Sequence, residues 1–176
     1  ILKNGGNKTV LFRADMDALP IKEETGISFE SIKTTKQNGM DVPIMHACGH
    51  DIHMTSLIGT AKYFSKNKDS WKGTIVFILQ PAEEIGFGAR QMINAGLFKQ
   101  IPYPDINLAL HVSAQTQSGT VHITPGFAMA NVDSVDVTFY GEGGHGAYPH
   151  LTKDPIVMSS QFITTVQTII SRNLSP

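Results

Sequence analysis

A chain of 176 residues with a formal net charge of -1 can hold one core, or one domain and part of another. No Lys/Arg cluster is present to meet a phosphate backbone or an anionic lipid surface, which argues against nucleic-acid and membrane partners. The longest apolar runs, such as "TIVFIL", fall far short of the roughly 20 residues that cross a bilayer.

The single Cys excludes an internal disulfide and suits a reducing, cytoplasmic setting, where a thiol stays available for metal or chemistry. The chain opens with Ile1 rather than Met and stops at "SRNLSP", directly after an apolar helical pattern. It is therefore read as cut at both ends.

In chain order, "TVLFRA" (Thr9 to Ala14) reads as a buried strand, being a short β-branched and aromatic run bounded by turn residues. From Asp51, Met54, Leu57, Ile58, Ala61 and Phe64 recur at helical spacing, and Asp51 favours the helix N-terminus. "GTIVFILQ" (Gly73 to Gln80) is a second strand, and a helix over about Ala89 to Ala95 stops at Gly96. "INLALHV" (Ile106 to Val112) is a third. Strands alternating with helices predict an α/β class with a mostly parallel sheet.

After Pro125 the pattern changes. "SVDVTFYG" alternates apolar and polar residues, "GEGGHGAYPH" is glycine-rich, and an amphipathic helix is expected from Asp154 to about Ser171. Residues 1–130 are accordingly expected to form one domain, and residues 131–176 the opening β-α part of a smaller α+β domain. No internal repeat or low-complexity tract is present.

The chemistry gathers at one predicted edge. "IMHACGHDIH" puts three His residues, the only Cys and an Asp within one short stretch, a density that packing alone rarely produces. Ligands of open α/β sheets bind beyond the carboxyl ends of the strands. Asp15 and Asp17 follow the first strand, Glu83 and Glu84 the second, and His111 ends the third, while Cys48 and His50 precede the intervening helix. Thiolate, imidazole and carboxylate together suit Zn, Mn, Co or Ni and argue against Mg or Ca.

Four candidates exceed the usual three protein ligands of a mononuclear catalytic site. They predict a paired-metal site in which Cys48 can bridge. Of the neighbours Glu83 and Glu84, one could bind metal and the other stay free to carry protons. His46 and His53 are placed behind the ligands; Asp15, His122 and His150 carry no decisive signal. The glycine-rich stretch is not read as a phosphate loop, because no helix begins at its last Gly, Pro149 interrupts it and no Walker-type Lys follows. Its glycines instead allow a sharp turn that presents His145.

The stretches "FRADMDALPI", "MHACGHDIHM", "ILQPAEE", "LHV" and "GGHGAYPH…DPI" together resemble the dinuclear metallo-aminoacylase and carboxypeptidase family, in its hippurate hydrolase and indole-acetyl-amino-acid hydrolase branch. The resemblance implies a metallo-exopeptidase-type catalytic domain followed by a ferredoxin-like lid. It implies that Cys48, His50, Glu84 and His111 ligate two divalent ions, Mn or Zn before Ni or Co. Glu83 would be the general base, and Asp17 would orient ligands. His145 would come from the lid, through which members of the family dimerise, and reach the partner subunit's active site. The family's fifth ligand, a histidine nearer its C-terminus, is expected beyond Pro176, so the chain by itself is expected to be a poor catalyst.

The implied reaction hydrolyses an N-acyl amino acid to a carboxylic acid and an amino acid. Other readings are a metallo-exopeptidase acting on dipeptides, a hydrolase with Cys48 as nucleophile, and a non-catalytic, metal-stabilised dimerisation module.

Overall fold

The computed structural model describes residues 1–129 and 131–173. Residue 130, at the expected domain boundary, and residues 174–176, at the end of the expected lid segment, lie outside the described residues. The chain divides into two compact units, Ile1–Val121 and His122–Pro176.

The first unit is an α/β layer structure. In chain order it contains β1 (Leu2–Asn4), β2 (Thr9–Asp15), β3 (Thr34–Gln37), β4 (Met40–Pro43), α1 (His50–Lys66), β5 (Gly73–Gln80), α2 (Gly88–Asn94), α3 (Leu97–Gln100) and β6 (Ile106–Ala109). Four strands form the main sheet in the order β1-β5-β2-β6. β2 pairs in parallel with β5 on one side and β6 on the other, and β1 adds an antiparallel edge. The connection from β2 to β5 thus steps one way and that from β5 to β6 steps back across β2. Such a reversal opens a crevice at the carboxyl ends of the strands.

The core lies where α1 covers β2 and β5. Leu11, Ala14, Leu57, Ile75 and Val76 are buried there, and His50, His53 and Leu57 form the buried stripe of α1, at the spacing of one helical face.

Several elements differ from the sequence reading. The third strand ends at Ala109, so His111 stands in the following loop. The long helix, α4, spans Pro155–Thr168 and widens into a π turn over Ile169–Asn173. "SVDVTFYG" is not a strand: among the described residues nothing pairs with 134–140, and an alternating segment without a ladder partner forms no strand. Among its described residues the second unit instead has one bridge, in which Glu142 and Lys153 exchange backbone hydrogen bonds of 2.9 and 3.0 Å. At α4, the Asp154 carboxylate accepts from the amides of Ile156 and Val157 at 2.8 and 3.4 Å, with Pro155 in the first turn.

Sequence reading missed the β3-β4 hairpin, although "QNGM" announces it. Asn38 and Gly39 take φ values of 51° and 80°, as a two-residue hairpin turn requires. A mutual backbone pair between Leu19 and Met45 ties its flanks together.

Two glycines separate conformational need from chance. The loop after β5 is closed by the amides of Phe87 and Gly88, which both donate to the Ala82 carbonyl at 3.1 and 3.0 Å. A Cβ on Gly88 would lie 1.5 Å from the Pro81 carbonyl oxygen, so only glycine fits. Gly59, in α1, meets nothing within 4 Å. Gly88→Ala should cost about 1–3 kcal/mol of stability, whereas Gly59→Ala should add roughly 0.5–1 kcal/mol. Urea unfolding midpoints check this pair; a neutral Gly88→Ala would refute the close approach.

Candidate metal centre

The expected site residues of the first unit converge. Gly49, at φ 79°, turns the chain into α1, and a Cβ there would strike Val112 Cγ2 at 2.5 Å. This close packing sets Cys48 and His50 against the loop after β6. Cys48 Sγ lies 3.4 Å from His111 Nε2. His50 Nε2 lies 3.9 Å from Glu83 Oε2 and 3.7 Å from Glu84 Oε1. His50 is thus shared between a Cys48–His111 cluster and a Glu83–Glu84 cluster.

Asp17 locks this arrangement. Its backbone carbonyl accepts from His46 Nδ1 at 3.0 Å and from His50 Nδ1 at 3.1 Å. Its carboxylate takes His50 Nδ1 on Oδ1 and the Glu84 amide on Oδ2, each at 3.1 Å. Both groups facing His50 Nδ1 are acceptors, so in the neutral ring, the form that can bind metal, that nitrogen carries the proton and Nε2 offers a lone pair. His111 follows the same logic, because its Nδ1 donates to the Val112 carbonyl at 2.6 Å and leaves Nε2 towards Cys48.

The donor set fits a cation. His50 Nε2 and Glu84 Oε1 are buried without a hydrogen-bond partner, 3.7 Å apart. Two buried acceptors facing each other are costly to leave unsatisfied, and neither can satisfy the other. A cation between them satisfies both. The remaining cluster, Asp15 with His50 and His53, is closed instead, because His53 donates from Nδ1 to Asp15 Oδ1 at 2.5 Å and accepts the Val112 amide on Nε2 at 3.0 Å. No lone pair of the His53 ring is left for metal.

Electrostatics agree with the geometry. Burial, followed by Glu84, Glu83 and Asp15, pushes the Cys48 thiol up; a bound dication would reverse this. Burial alone would raise Asp15, but the hydrogen bond from His53 and the charge of the Arg13 guanidinium outweigh it and hold the carboxyl below its ordinary value.

The sequence reading gave Asp15 no role, yet its side chain is 1% exposed and bonded to Arg13 at 2.8 Å. The available signal was an Arg and an Asp inside an otherwise apolar buried strand, "TVLFRAD". His145 stands in the second unit, exposed, with Nδ1 accepting from the Ala147 amide at 3.1 Å. His122 and His150 are exposed as well.

Residues 11–174 match the sequence profile of Peptidase family M20/M25/M40. The chain is 42% identical to the N-acetyldiaminopimelate deacetylase of Oenococcus oeni over 169 residues, 96% of this chain and 42% of the relative. It is likewise 42% identical to the Listeria innocua enzyme of that name over 178 residues, 100% of this chain and 45% of the relative. A crystal structure from methicillin resistant Staphylococcus aureus, described as that of an aminohydrolase, superposes with a TM-score of 0.70 at 38% identity, over 98% of this chain and 43% of that one. The chain spans less than half the length of these relatives. Their names specify N-acetyldiaminopimelate, where the motifs led to the expectation of hippurate or indole-acetyl amino acids. With the profile running through nearly the whole length, the chain belongs to Peptidase family M20/M25/M40.

Proposed function

We propose that this chain carries the centre of an amidohydrolase that splits an N-acyl amino acid into a carboxylic acid and a free amino acid, with two divalent cations held by Cys48, His50, Glu84 and His111. The observation that carries the reading is the buried pair of facing acceptors, His50 Nε2 and Glu84 Oε1. Mn or Zn suits the mixed sulfur, nitrogen and oxygen set best, with Ni or Co as alternatives. Such cations would acidify a water and polarise the acyl carbonyl.

Glu83 is the general base. Its side chain is 38% exposed, beside the ligand cluster, where it can reach both solvent and substrate. It accepts a proton from the attacking water as oxygen adds to the amide carbon, and returns that proton to the leaving nitrogen as the C–N bond breaks. Asp17 holds His50 in the ligating tautomer. His145, with Nδ1 occupied by the Ala147 amide, keeps its proton on Nε2 and can donate a hydrogen bond from it to the carbonyl oxygen as negative charge develops there. Residues 1–130 form the metal-binding domain in this reading. Residues 131–176 begin a lid through which two copies pair, so that His145 serves the partner's site.

The setting is cytoplasmic, where a lone thiol stays reduced. Among the described residues no helix is long and apolar enough to cross a membrane. The relatives' name, N-acetyldiaminopimelate deacetylase, favours an acetyl group on an amino acid with a second charged head, over a dipeptide substrate.

One contact supports a second reading. Cys48 Sγ at 3.4 Å from His111 Nε2 is also the geometry of a cysteine nucleophile and its base. Burial, with the surrounding carboxylates, pushes that thiol up, the reverse of what a nucleophile needs. Chelation with EDTA should abolish activity, and Mn or Zn should restore it. Loss to iodoacetamide with no response to chelator would favour the nucleophile instead.

Glu83→Gln keeps shape but removes the base. In the full-length enzyme, turnover should fall by about 100-fold or more with metal content unchanged, whereas Glu84→Gln should lose metal. Elemental analysis beside a deacetylation assay separates them, and equal metal loss in both would defeat the division of roles. His145→Ala should cost on the order of 100-fold in rate at unchanged metal content. Mixed with Glu83→Gln it should regain activity if His145 acts across the dimer; proven heterodimers that stay inactive would refute action in trans.

A further inference from the structure

Behind the candidate ligands runs a buried polar chain that the proposed reaction does not use. Gln80 Oε1 accepts from Arg13 Nε at 2.9 Å, and Arg13 Nη1 donates to Asp15 Oδ2 at 2.8 Å. Asp15 Oδ1 accepts from His53 Nδ1 at 2.5 Å, and His53 Nε2 accepts from the Val112 amide at 3.0 Å. Gln80, Asp15 and His53 are all buried, His53 at 2% exposure. The chain joins the last residue of β5, the end of β2, the first turn of α1 and the loop after β6.

Its direction is fixed. An amide can only donate, so His53 Nε2 is an acceptor, and the proton sits on Nδ1, facing Asp15. The ring is therefore neutral and fully engaged.

The Val112 amide is the useful end. His111 lies beyond the end of β6, with an exposed side chain and no ladder to hold it. What fixes it is its neighbour: His111 Nδ1 donates to the Val112 carbonyl, while His53 holds the Val112 amide and Gly49 packs under the Val112 side chain. The His53 ring also meets the His111 ring edge to face, with centroids 4.5 Å apart.

We infer that His53, locked by Asp15 and Arg13, is a positioning residue that holds Val112 and thereby aims His111 Nε2 at Cys48. The inference rests on the metal-centre reading proposed above. It assigns to His53 a role in the affinity and geometry of the bound ion rather than in the chemical step.

The test uses Co(II) as the probe, with affinity read by chelator competition and ligand geometry read from the cobalt absorption, including the charge-transfer band of a Cys48 thiolate. His53→Ala should weaken cobalt binding by about 10–100-fold, the usual cost of losing a group that orients a ligand, and should alter the spectrum while the far-UV circular dichroism is kept. His53→Gln, whose Oε1 can take the Val112 amide, should recover most of the loss. Rescue of this kind separates positioning from mere filling of space.

If His53→Ala does not fold, Val112→Pro decides, because it deletes the donor and leaves the Asp15–His53 pair intact; it should weaken cobalt binding to a similar degree. Unchanged affinity and spectrum in a folded His53→Ala, or in Val112→Pro, overturns the inference, and so does failure of His53→Gln to improve on His53→Ala. Absence of cobalt binding by the parent protein would instead overturn the metal centre, and this inference with it.

Discussion

The site depends on one side chain that is not itself expected to touch metal. Asp17 offers three acceptor atoms to three donor residues from two separate stretches: the rings of His46 and of His50, leading into α1, and the backbone of Glu84 after β5. A carboxylate so placed is repaid for its lost hydration by charge-assisted hydrogen bonds. Remove it, and the His50 ring can turn over its two nitrogens, while the Glu83–Glu84 loop loses its tether to the end of β2.

Around this anchor the chain buries polar groups in two different ways. Asp15, Arg13, Gln80 and His53 are joined donor to acceptor. His50 and Glu84 are open, with acceptor facing acceptor. The contrast is informative because both sets lie within the same few ångströms: His50 Nε2 is 3.7 Å from Asp15 Oδ2 as well as from Glu84 Oε1. A polypeptide able to satisfy one group of buried atoms so fully leaves another unsatisfied where something else completes it. Four carboxylates, Asp15, Asp17, Glu83 and Glu84, stand about His50, and the only Lys or Arg in ion-pair contact with any of them, among the described residues, is Arg13. That imbalance favours a cation.

What could be read from sequence was whatever depends on local pattern. Thr9 to Ala14 and Gly73 to Gln80 announce strands through their own composition, and ligand-type residues at their ends fall on one edge because parallel strands share a direction. Asp15 was misjudged for the opposite reason. Its worth lies in a hydrogen bond to His53, 38 positions away, which no window along the chain displays. The 134–140 segment failed similarly: alternation records a face, but a strand exists only with a neighbour to complete its ladder. The hairpin at Asn38 and Gly39 was legible and was overlooked, its turn signal following a strand of exposed polar residues that carries no hydrophobic alternation.

The loop closed at Gly88 bears on how the chain can change length over evolution. Seven residues, Ala82 to Gly88, are bounded by two amides on one carbonyl, and Glu83 and Glu84 sit inside that ring. An inserted residue would break the ring or swing both carboxylates away from His50, so this segment should keep a constant length among homologues. The exposed tip at Asn38 and Gly39 carries no such constraint, and loop tips of this kind absorb insertions readily. Variation in chain length should therefore collect at the hairpin, where an inserted tag or label would leave the carboxyl edge of the sheet undisturbed.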